Sequence, residues 1–545
     1  MRHMMTGALR QGALGLWLLL GLACGALLPL PAAALTPAQA LQLADGDADE
    51  RAAQLLQLAA SDDASAHALI RALADEAVQL QDGRVLIVRD AQALDAVSGQ
   101  PVALGEGAEE VVVNNRLRGA LESALAGMEL LTGDAARQVE AAATLQRTAF
   151  DDPNPAQLAL IERALAPESA ARLAPAARES LLLAQAALHL ASEDPTQRSA
   201  AAARLAEVGQ PIVKALLSQR LAAETDPDVK AALGQAIRTV ERALVTASML
   251  GQLFTGLSLG SILLLAALGL AITYGLMGVI NMAHGELIMI GAYATYLVQL
   301  AFRHYLPGAF DWYLLAALPL SFLASALVGA AMERSVLRFL YGRPLETLLA
   351  TWGISLVLMQ GVRSLFGAQN VGVENPGWMS GGITLLGSLT LPWNRIIIVA
   401  FAAAVLLAVA LLIGRTRLGL FVRGVTQNRP IASCMGVNTA RIDTYAFALG
   451  SGIAGLAGCA LSQVGNVGPD LGQNYIVDSF MVVVVGGVGQ LAGTVYAALG
   501  LGLLNKLLEG WAGAVLAKIA VLVFIIIFIQ KRPQGIFAVK GRTAD

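Results

Sequence analysis

The chain has 545 residues, of which 56% are hydrophobic and only 14% are charged, and its formal net charge is −3. Soluble domains carry about 25% charged residues, so much of this chain belongs in a lipid bilayer, and its charge does not favour a nucleic-acid partner. The three cysteines give no disulfide framework and no CxxC metal motif. The sequence has no G-x-x-x-x-G-K-[ST] phosphate-binding loop, which excludes ATP hydrolysis by that route.

Residues 1–34 have the order of regions found in a secretory signal peptide. Arg2 and Arg10 precede an apolar run at 13–28, and small residues follow at Ala32-Ala33-Ala34. We therefore predict a leader that is cleaved after residue 34. The alternative is a first membrane anchor, for which the apolar run is short.

Residues 35–245 are rich in alanine, leucine and charged residues and poor in aromatic residues. Amphipathic pieces recur with a period of roughly 30–45 residues and two helices per unit, which predicts a HEAT-like helical solenoid. RVLIVR at 84–89 and EVVVN at 110–114 interrupt this pattern and predict a small β insertion, with Ser98-Gly99 in its turn. Because the domain follows a leader, we expect it in the periplasm, and we find no clustered metal ligands in it. The predicted helical pieces are Arg51–Leu58, Ala66–Leu80, Ser199–Glu207, Pro211–Ala223 and Asp228–Leu244.

Residues 246–545 predict a polytopic membrane helix bundle, so the fold class is all-α. Arginines cluster at 334–343 and 415–441, and basic residues return after 530, which places these segments in the cytoplasm. Glycines inside the last long apolar region predict that the chain turns there, which gives about nine crossings. These glycines are Gly486, Gly487, Gly489 and Gly493. The predicted spans are Leu253–Val279, Leu287–Phe302, Trp312–Met332, Thr347–Phe366, Ile396–Ile413, Thr444–Val464, a divided region at Ile476–Leu508, and Val515–Ile529.

Polar residues between the first two spans form the sequence NMAHGE at 281–286. Polar side chains at membrane depth are costly unless they face a cavity or one another. One interpretation is a polar hinge that lines a translocation path. The other is a structural network in which Glu286 is an acid at a helix N-terminus. The candidate path residues are Asn281, His284, Glu286, Thr351, Gln360 and Gln463.

The arginine-rich stretch Arg415–Asp443 lies between two predicted spans. Within it we predict a short helix over Gln427–Met435, with Pro430 in its first turn and Gly436 ending it in the left-handed conformation. A capped helix in such a loop favours a docking element over a plain basic loop that sets topology. The candidate docking residues are Gln427, Asn428, Arg429, Pro430, Ile431, Ala432, Ser433, Cys434, Met435, Gly436, Val437 and Asn438.

Four ordered motifs resemble the permease family of ABC importers that move branched-chain amino acids, amides and urea. They are NMAHGE, the segment from Arg423 to Asn438, GGVGQLAGT at 486–494 and RPQGIF at 532–537. The resemblance implies that the docking segment sits in a cleft of a cytoplasmic ATPase subunit, although the usual acid near its start is replaced by Gln427 and Asn428.

The resemblance also implies the partners of the chain and its location. They are a second homologous permease chain, two ATPase subunits, a periplasmic solute-binding protein and the lipid of a bacterial inner membrane. The chain is then no enzyme and binds no cofactor, because ATP is used by the partner subunits. The large N-terminal extension resembles the urea branch of the family, so urea is the expected solute. A branched-chain amino acid or a short-chain amide is the alternative.

Overall fold

The computed structural model describes residues 35–61, 63–89, 92–105, 107–278, 281–385 and 388–537. The predicted leader lies outside these residues, as do Lys540 and Arg542 of the basic tail. The chain forms two compact units, Met1–Leu244 and Val245–Asp545.

The first unit is built from helices, with one sheet inserted between the third and the fourth. Many of its helices begin at an acidic or amide side chain that accepts a hydrogen bond from the first turn. Asp194, for example, accepts one from the backbone N–H of Thr196 at 2.9 Å. The helices are α1 (Pro37–Asp45), α2 (Ala48–Ala59), α3 (Ala64–Ala74), α4 (Asn115–Thr132), α5 (Ala135–Asp151), α6 (Gln157–Leu165), α7 (Pro167–Ala170), α8 (Pro175–His189), α9 (Pro195–Ala206), α10 (Pro211–Ala223) and α11 (Pro227–Met277), which extends past residue 245.

The inserted sheet is larger than the predicted hairpin. Its order is β4-β3-β2-β1-β5, and all neighbouring strands are antiparallel. RVLIVR forms β2 as predicted, but only Glu109–Glu110 pairs near the second predicted strand. The helix predicted over Ala66–Leu80 is wrong in its second half, because α3 ends at Ala74 and the chain turns through Glu76 (φ 55°) into a strand. The strands are β1 (Val78–Gln81), β2 (Arg84–Arg89), β3 (Gln92–Asp95), β4 (Pro101–Val102) and β5 (Glu109–Glu110).

The helices after the sheet pack largely in chain order: α4 on α5, α5 on α8, and α8 on α9. Their buried alanine and leucine side chains form one continuous apolar cluster that reaches the first turns of α11. The spacing of the helices is irregular, because α7 has only four residues and the sheet separates α3 from α4. The HEAT-like solenoid is therefore not confirmed.

A buried ion pair fastens the last helices of this unit. Glu224, directly after α10, accepts hydrogen bonds from Arg198 Nε at 2.9 Å and Arg198 Nη2 at 3.0 Å, and from Arg220 at 3.1 Å. The backbone N–H groups of Thr225 and Asp226 also donate to it. Burial alone would raise the pKa of Glu224, but the hydrogen bonds from Arg198 and the two backbone groups outweigh burial and lower this pKa to about 2.

The second unit agrees with the predicted polytopic bundle. Among the described residues, eight helices are long and apolar enough to cross a membrane, and a ninth apolar helix has 16 residues. A short β-hairpin, β6 (Gly382–Leu385) with β7 (Leu389–Pro392), precedes the fifth of the long helices. The helices after α11 are α12 (His284–Tyr305), α13 (Tyr313–Ser335), α14 (Pro344–Phe366), α15 (Trp393–Arg415), α16 (Arg417–Gln427), α17 (Arg429–Cys434), α18 (Thr439–Ser462), α19 (Leu471–Gly486), α20 (Leu491–Ala512) and α21 (Ala514–Lys531).

Helices α12 and α18 cross at glycines. A Cβ atom added to Gly291 would lie 2.6 Å from the carbonyl carbon of Gly455, and one added to Gly458 would lie 2.7 Å from the backbone nitrogen of Ala292. Both neighbours are backbone atoms, so no side-chain rotation can relieve the overlap. Close backbone approach at small residues is the usual way in which membrane helices pack, since lipid gives no hydrophobic drive for their association.

The glycine-rich turn lies where it was predicted, between α19 and α20. Gly487 and Gly489 have φ angles of 99° and 74°, a conformation that favours glycine. Gly486 and Gly493 lie where the two helices meet, since a Cβ atom on Gly486 would be 2.5 Å from the carbonyl carbon of Gly493. The long apolar region is thus divided into two helices.

The segment after α21, Arg532–Phe537, folds back onto this turn. The N–H of Ile536 donates to the carbonyl of Val485 at 2.9 Å. The ring of Phe537 stacks on Tyr496 with a centroid distance of 5.9 Å. A Cβ atom on Gly487 would lie 2.5 Å from the carbonyl oxygen of Phe537. The terminal RPQGIF sequence is therefore a packed part of the bundle.

Candidate functional site

The predicted docking segment contains two helices where one was expected. α16 has no counterpart in the sequence-based prediction, and α17 is shorter than the predicted Gln427–Met435. Asn428 begins α17, because its Oδ1 accepts the N–H of Ile431 at 3.0 Å. Gly436 follows the helix with φ 84°, the left-handed conformation predicted for it.

α17 presents an apolar edge to its surroundings. Ile431 and Met435 are one turn apart, and they are 60% and 80% exposed. Ala432 points the other way and packs in a small cluster with Val425 and Ile442. Of the predicted docking residues, Ala432 is buried, Arg429 and Val437 are half-buried, and the rest are exposed. The arrangement is a fixed helix with a free apolar edge, which suits contact with another protein.

Arg429 ties α17 to α18 and to the end of α13. Its Nη2 pairs with Asp443, a fully buried carboxylate near the start of α18. The guanidinium lies over the ring of Tyr341, 4.4 Å from its centroid. Tyr341 donates to Glu333 at 3.4 Å, and Glu333 also accepts from Thr444 Oγ1 at 2.6 Å. These five residues are the Arg429 cluster.

Tyr341 stays a neutral hydrogen-bond donor in this cluster. Burial, reinforced by the charges of Asp443 and Glu333, raises the pKa of Tyr341 well above its ordinary value. The sequence contains no acid at Gln427 or Asn428, and the structure instead supplies Asp443, fourteen residues after Arg429. The ion pair is thus internal to the chain and leaves the apolar edge of α17 free.

Three of the predicted path residues, Asn281, Glu286 and Thr351, lie close together at the start of α12. The fully buried side chains of α14 are hydroxyl residues at four-residue spacing: Thr347, Thr351 and Ser355. Thr351 Oγ1 accepts the N–H of Met282 at 3.2 Å, and Ser355 Oγ donates to Glu286 Oε1 at 3.0 Å. This contact of residues 281–286 with the hydroxyl face of α14 is the hydroxyl seam.

Two side chains at the hydroxyl seam have buried polar atoms without a partner. Glu286 is 1% exposed, and its Oε2 has no hydrogen-bond partner in the described part of the chain. Asn281 is equally buried; its Oδ1 accepts the N–H of Ala283 at 3.1 Å, while its Nδ2 has no partner there. Such atoms are rare in folded proteins, and ionisable groups inside membrane helices mark solute or ion paths.

The side chain of His284 contributes mainly to the packing of α12 on α11, rather than to the contact with α14. Its Nε2 donates to the carbonyl of Ala266 at 2.9 Å, which fastens α12 to α11. Gly269 makes room for the ring, since a Cβ atom there would lie 2.9 Å from His284 Cε1.

The structure separates the two predicted glutamines from the hydroxyl seam. Gln360 is exposed and lies five residues after Ser355, so it points away from the buried face of α14. Gln463 is buried beyond the end of α18, where it accepts from the hydroxyl of Tyr313 at 3.1 Å and donates to Ser462 at 3.1 Å. It belongs to a different, internally satisfied network.

Known proteins resemble the second unit. Residues 252–530 match the family described as branched-chain amino acid transport system, permease component. The high-affinity branched-chain amino acid transport system permease protein LivH of Salmonella typhimurium is 30% identical over 298 residues, which is 53% of this chain and 94% of that protein. BraD of Pseudomonas aeruginosa, with the same description, is 27% identical over 291 residues, 53% and 95% of the two chains.

A probable branched-chain amino acid transport permease protein LivH of Methanocaldococcus jannaschii is 26% identical over 302 residues, 51% of this chain and 89% of that one. No solved structure matches the chain significantly. The relatives are permease subunits rather than enzymes. The chain belongs to the family of permease components of branched-chain amino acid transport systems.

Proposed function

We propose that this chain is the inner-membrane permease of an ATP-driven importer whose solute is a branched-chain amino acid or a short-chain amide. The observation that carries the proposal is the family match over residues 252–530, together with relatives whose names refer to branched-chain amino acid transport. Urea, expected from the N-terminal extension, is the second candidate, since none of the named relatives is described as a urea transporter. The feature that favours urea is the large N-terminal extension, which the structure describes from residue 35 onward.

The solute is tested by uptake of labelled leucine in cells that carry the complete transporter operon. Isoleucine, acetamide and urea are added separately as unlabelled competitors. We expect isoleucine to compete more strongly than urea. Saturable urea uptake without any leucine uptake would contradict the proposed solute and favour the second candidate.

An importer of this kind works with cytoplasmic ATPase subunits and a solute-binding protein. We propose an assembly with a second homologous permease chain and two ATPases, which alone bind ATP. In this assembly the exposed edge of α17, with Ile431 and Met435, docks into an ATPase subunit. Arg429 then passes the motion to α18 and α13 through its cluster, and the glycine turn between α19 and α20 serves as a hinge for alternating access.

Docking is tested by charge insertion into the apolar edge of α17. We expect Ile431→Asp with Met435→Asp to abolish uptake and to release the ATPase subunits, because a buried carboxylate without a partner opposes association. Phe339→Asp is the matched control, since Phe339 is an exposed apolar residue in another short connection, between α13 and α14. Normal uptake by the double variant would remove α17 from the proposed interface.

We propose that the first unit is a HEAT-like solenoid that follows a cleaved leader. In the proposed topology this unit lies in the periplasm, and the C-terminus lies in the cytoplasm. The charge rule supports it, because arginines gather at 334–343 and 415–441. Cys434 on α17 is free and exposed, whereas Cys459 is buried. We expect a membrane-impermeant thiol reagent to label Cys434 only after the cells are permeabilised. Labelling of Cys434 in intact cells would contradict the proposed topology, because it would place α17 on the periplasmic side.

The proposed translocation path runs along the hydroxyl seam. Its supports are the unpartnered atoms of Asn281 and Glu286 and the hydroxyl of Thr351, which are buried together at the start of α12.

A further inference from the structure

The hydroxyl seam contains a buried carboxyl group that has no ion-pair partner in the described part of the chain. Glu286 has no ion-pair partner among the described residues, and the arginines within α12 and α14 pair with other acids. Arg303 pairs with Glu374 at 2.7 Å, and Arg363 pairs with Asp470 at 3.0 Å. Arg363 lies two turns beyond Ser355, about 12 Å along α14.

A metal ion does not explain this carboxylate. Within the described ranges, no group of three His, Cys, Asp or Glu side chains could hold one. Glu286 has a single hydrogen bond, the one from Ser355, and its second oxygen is left free. A positively charged group on a transported solute would satisfy that oxygen with a charge-assisted hydrogen bond.

The seam also offers a hydrogen-bond donor. Thr351 holds the backbone next to Asn281, and Ser355 holds Glu286. Thr351 and Ser355 are one helical turn apart, about 6 Å along α14. These two contacts place residues 281–282 and Glu286 against neighbouring turns of α14. Asn281 Nδ2 is a buried donor that lacks an acceptor in the described part of the chain.

The contact of α14 with residues 281–286 is polar at Thr351 and Ser355, while Ile354 and Leu358 of α14 pack against the apolar cluster that contains Leu287 and Ile288. The fully buried side chains of α14 are its three hydroxyl residues. The hydrogen bonds of Thr351 and Ser355 to residues 281–286 can be exchanged for hydrogen bonds to water or solute at small net cost. Water or a polar solute can therefore replace these two contacts.

We infer that the hydroxyl seam binds the main chain of a zwitterionic α-amino acid during transport, with Glu286 Oε2 accepting from its ammonium group and Asn281 Nδ2 donating to its carboxylate. This inference rests on the proposed importer function and narrows its solute. Urea and simple amides carry no positive charge for Glu286, so the seam discriminates against them.

A protection experiment on the unaltered protein tests the contact. The complete transporter, without its binding protein, is treated with a hydrophobic carbodiimide that couples to buried carboxyl groups, and labelled peptides are quantified by mass spectrometry. We expect millimolar leucine to slow the labelling of Glu286. Urea and 4-methylpentanoate, which has the leucine side chain and carboxylate but no ammonium group, should leave it unchanged. Asp443 is the internal control. Equal labelling of Glu286 with and without leucine would overturn the inference.

A variant separates solute binding from folding. Glu286→Gln keeps the size of the side chain and removes its charge. In proteoliposomes with the complete transporter, we expect leucine uptake per ATP hydrolysed to fall about 10- to 100-fold, the range for one lost charge-assisted hydrogen bond. ATPase activity stimulated by the binding protein should persist, whereas a structural defect would lower both. Glu374→Gln, which removes a carboxylate that is 67% exposed, should behave as wild type.

The outcomes distinguish the inference from the function on which it rests. Leucine import by the wild type with unchanged uptake per ATP in Glu286→Gln contradicts the ammonium contact and leaves the importer intact. Urea import without leucine import by the wild type contradicts both. If the Glu286→Gln variant does not assemble, the protection experiment on the unaltered protein tests the ammonium contact by itself.

Discussion

Replacing Gly291 by alanine should push α12 away from α18. The added Cβ atom would lie 2.6 Å from the carbonyl carbon of Gly455, and closer to the oxygen. Carbon atoms in contact are about 3.5–4.0 Å apart, so the two backbones must separate by about 1 Å. Overpacking of this kind costs about 1–3 kcal/mol. The loss should extend along the crossing, because Gly458 meets the same helix at the backbone of Ala292.

Gly500 provides the matched control. It lies inside α20, and a Cβ atom there meets nothing within 4 Å. Alanine in an open helical position stabilises by about 0.5–1 kcal/mol relative to glycine, so the two substitutions should have opposite signs. The assay is the apparent Tm of the purified chain in detergent, recorded at one scan rate because membrane proteins often unfold irreversibly. A Tm for Gly291→Ala at or above that of Gly500→Ala would refute the predicted crossing.

Two further predictions concern ion pairs. Arg429→Ala leaves the carboxylate of Asp443 buried without its partner; because Arg429 is part-exposed, we expect a loss below the about 3–5 kcal/mol of a fully buried pair. Adding Asp443→Asn should recover most of the Tm and of the uptake, and no recovery would mean that the ion pair is unimportant. Glu224 has a lowered pKa, so its stabilising effect is complete above its ordinary pKa of 4.5 and is lost as the pH falls towards 2. Glu224→Gln should lower the Tm at pH 7 and flatten the decline between pH 4.5 and 2.5; an unchanged acid profile would contradict this assignment.

The elements that could be predicted from sequence are those set by local chemistry. Long apolar runs predicted the membrane helices, since a bilayer requires such runs at nearly fixed length. Gly436 and the glycines at 486–493 predicted a helix end and a turn, because only glycine combines positive φ with close backbone approach.

The misses arise where tertiary contacts decide. The VQLQ sequence at 78–81 alternates like a strand, but it directly follows an amphipathic helix, and the reversal depends on the non-glycine Glu76 at positive φ. The partner of Arg429 lies on another helix, which no spacing rule identifies. Gln360 stays a predicted path residue, and the structure shows only that it is exposed on α14. A span is apolar on both its lipid and protein faces, so its pattern does not reveal which face is buried.

The folded-back tail has a consequence for truncated forms of the protein. Residues Gly535–Phe537, which follow the last membrane helix, cover the bend between α19 and α20. A premature stop after Lys531 would preserve every membrane helix but would remove the contacts of the tail with that bend. Such a product should insert normally and fail at a late stage of maturation, and an affinity tag belongs well beyond Phe537 rather than in place of the tail.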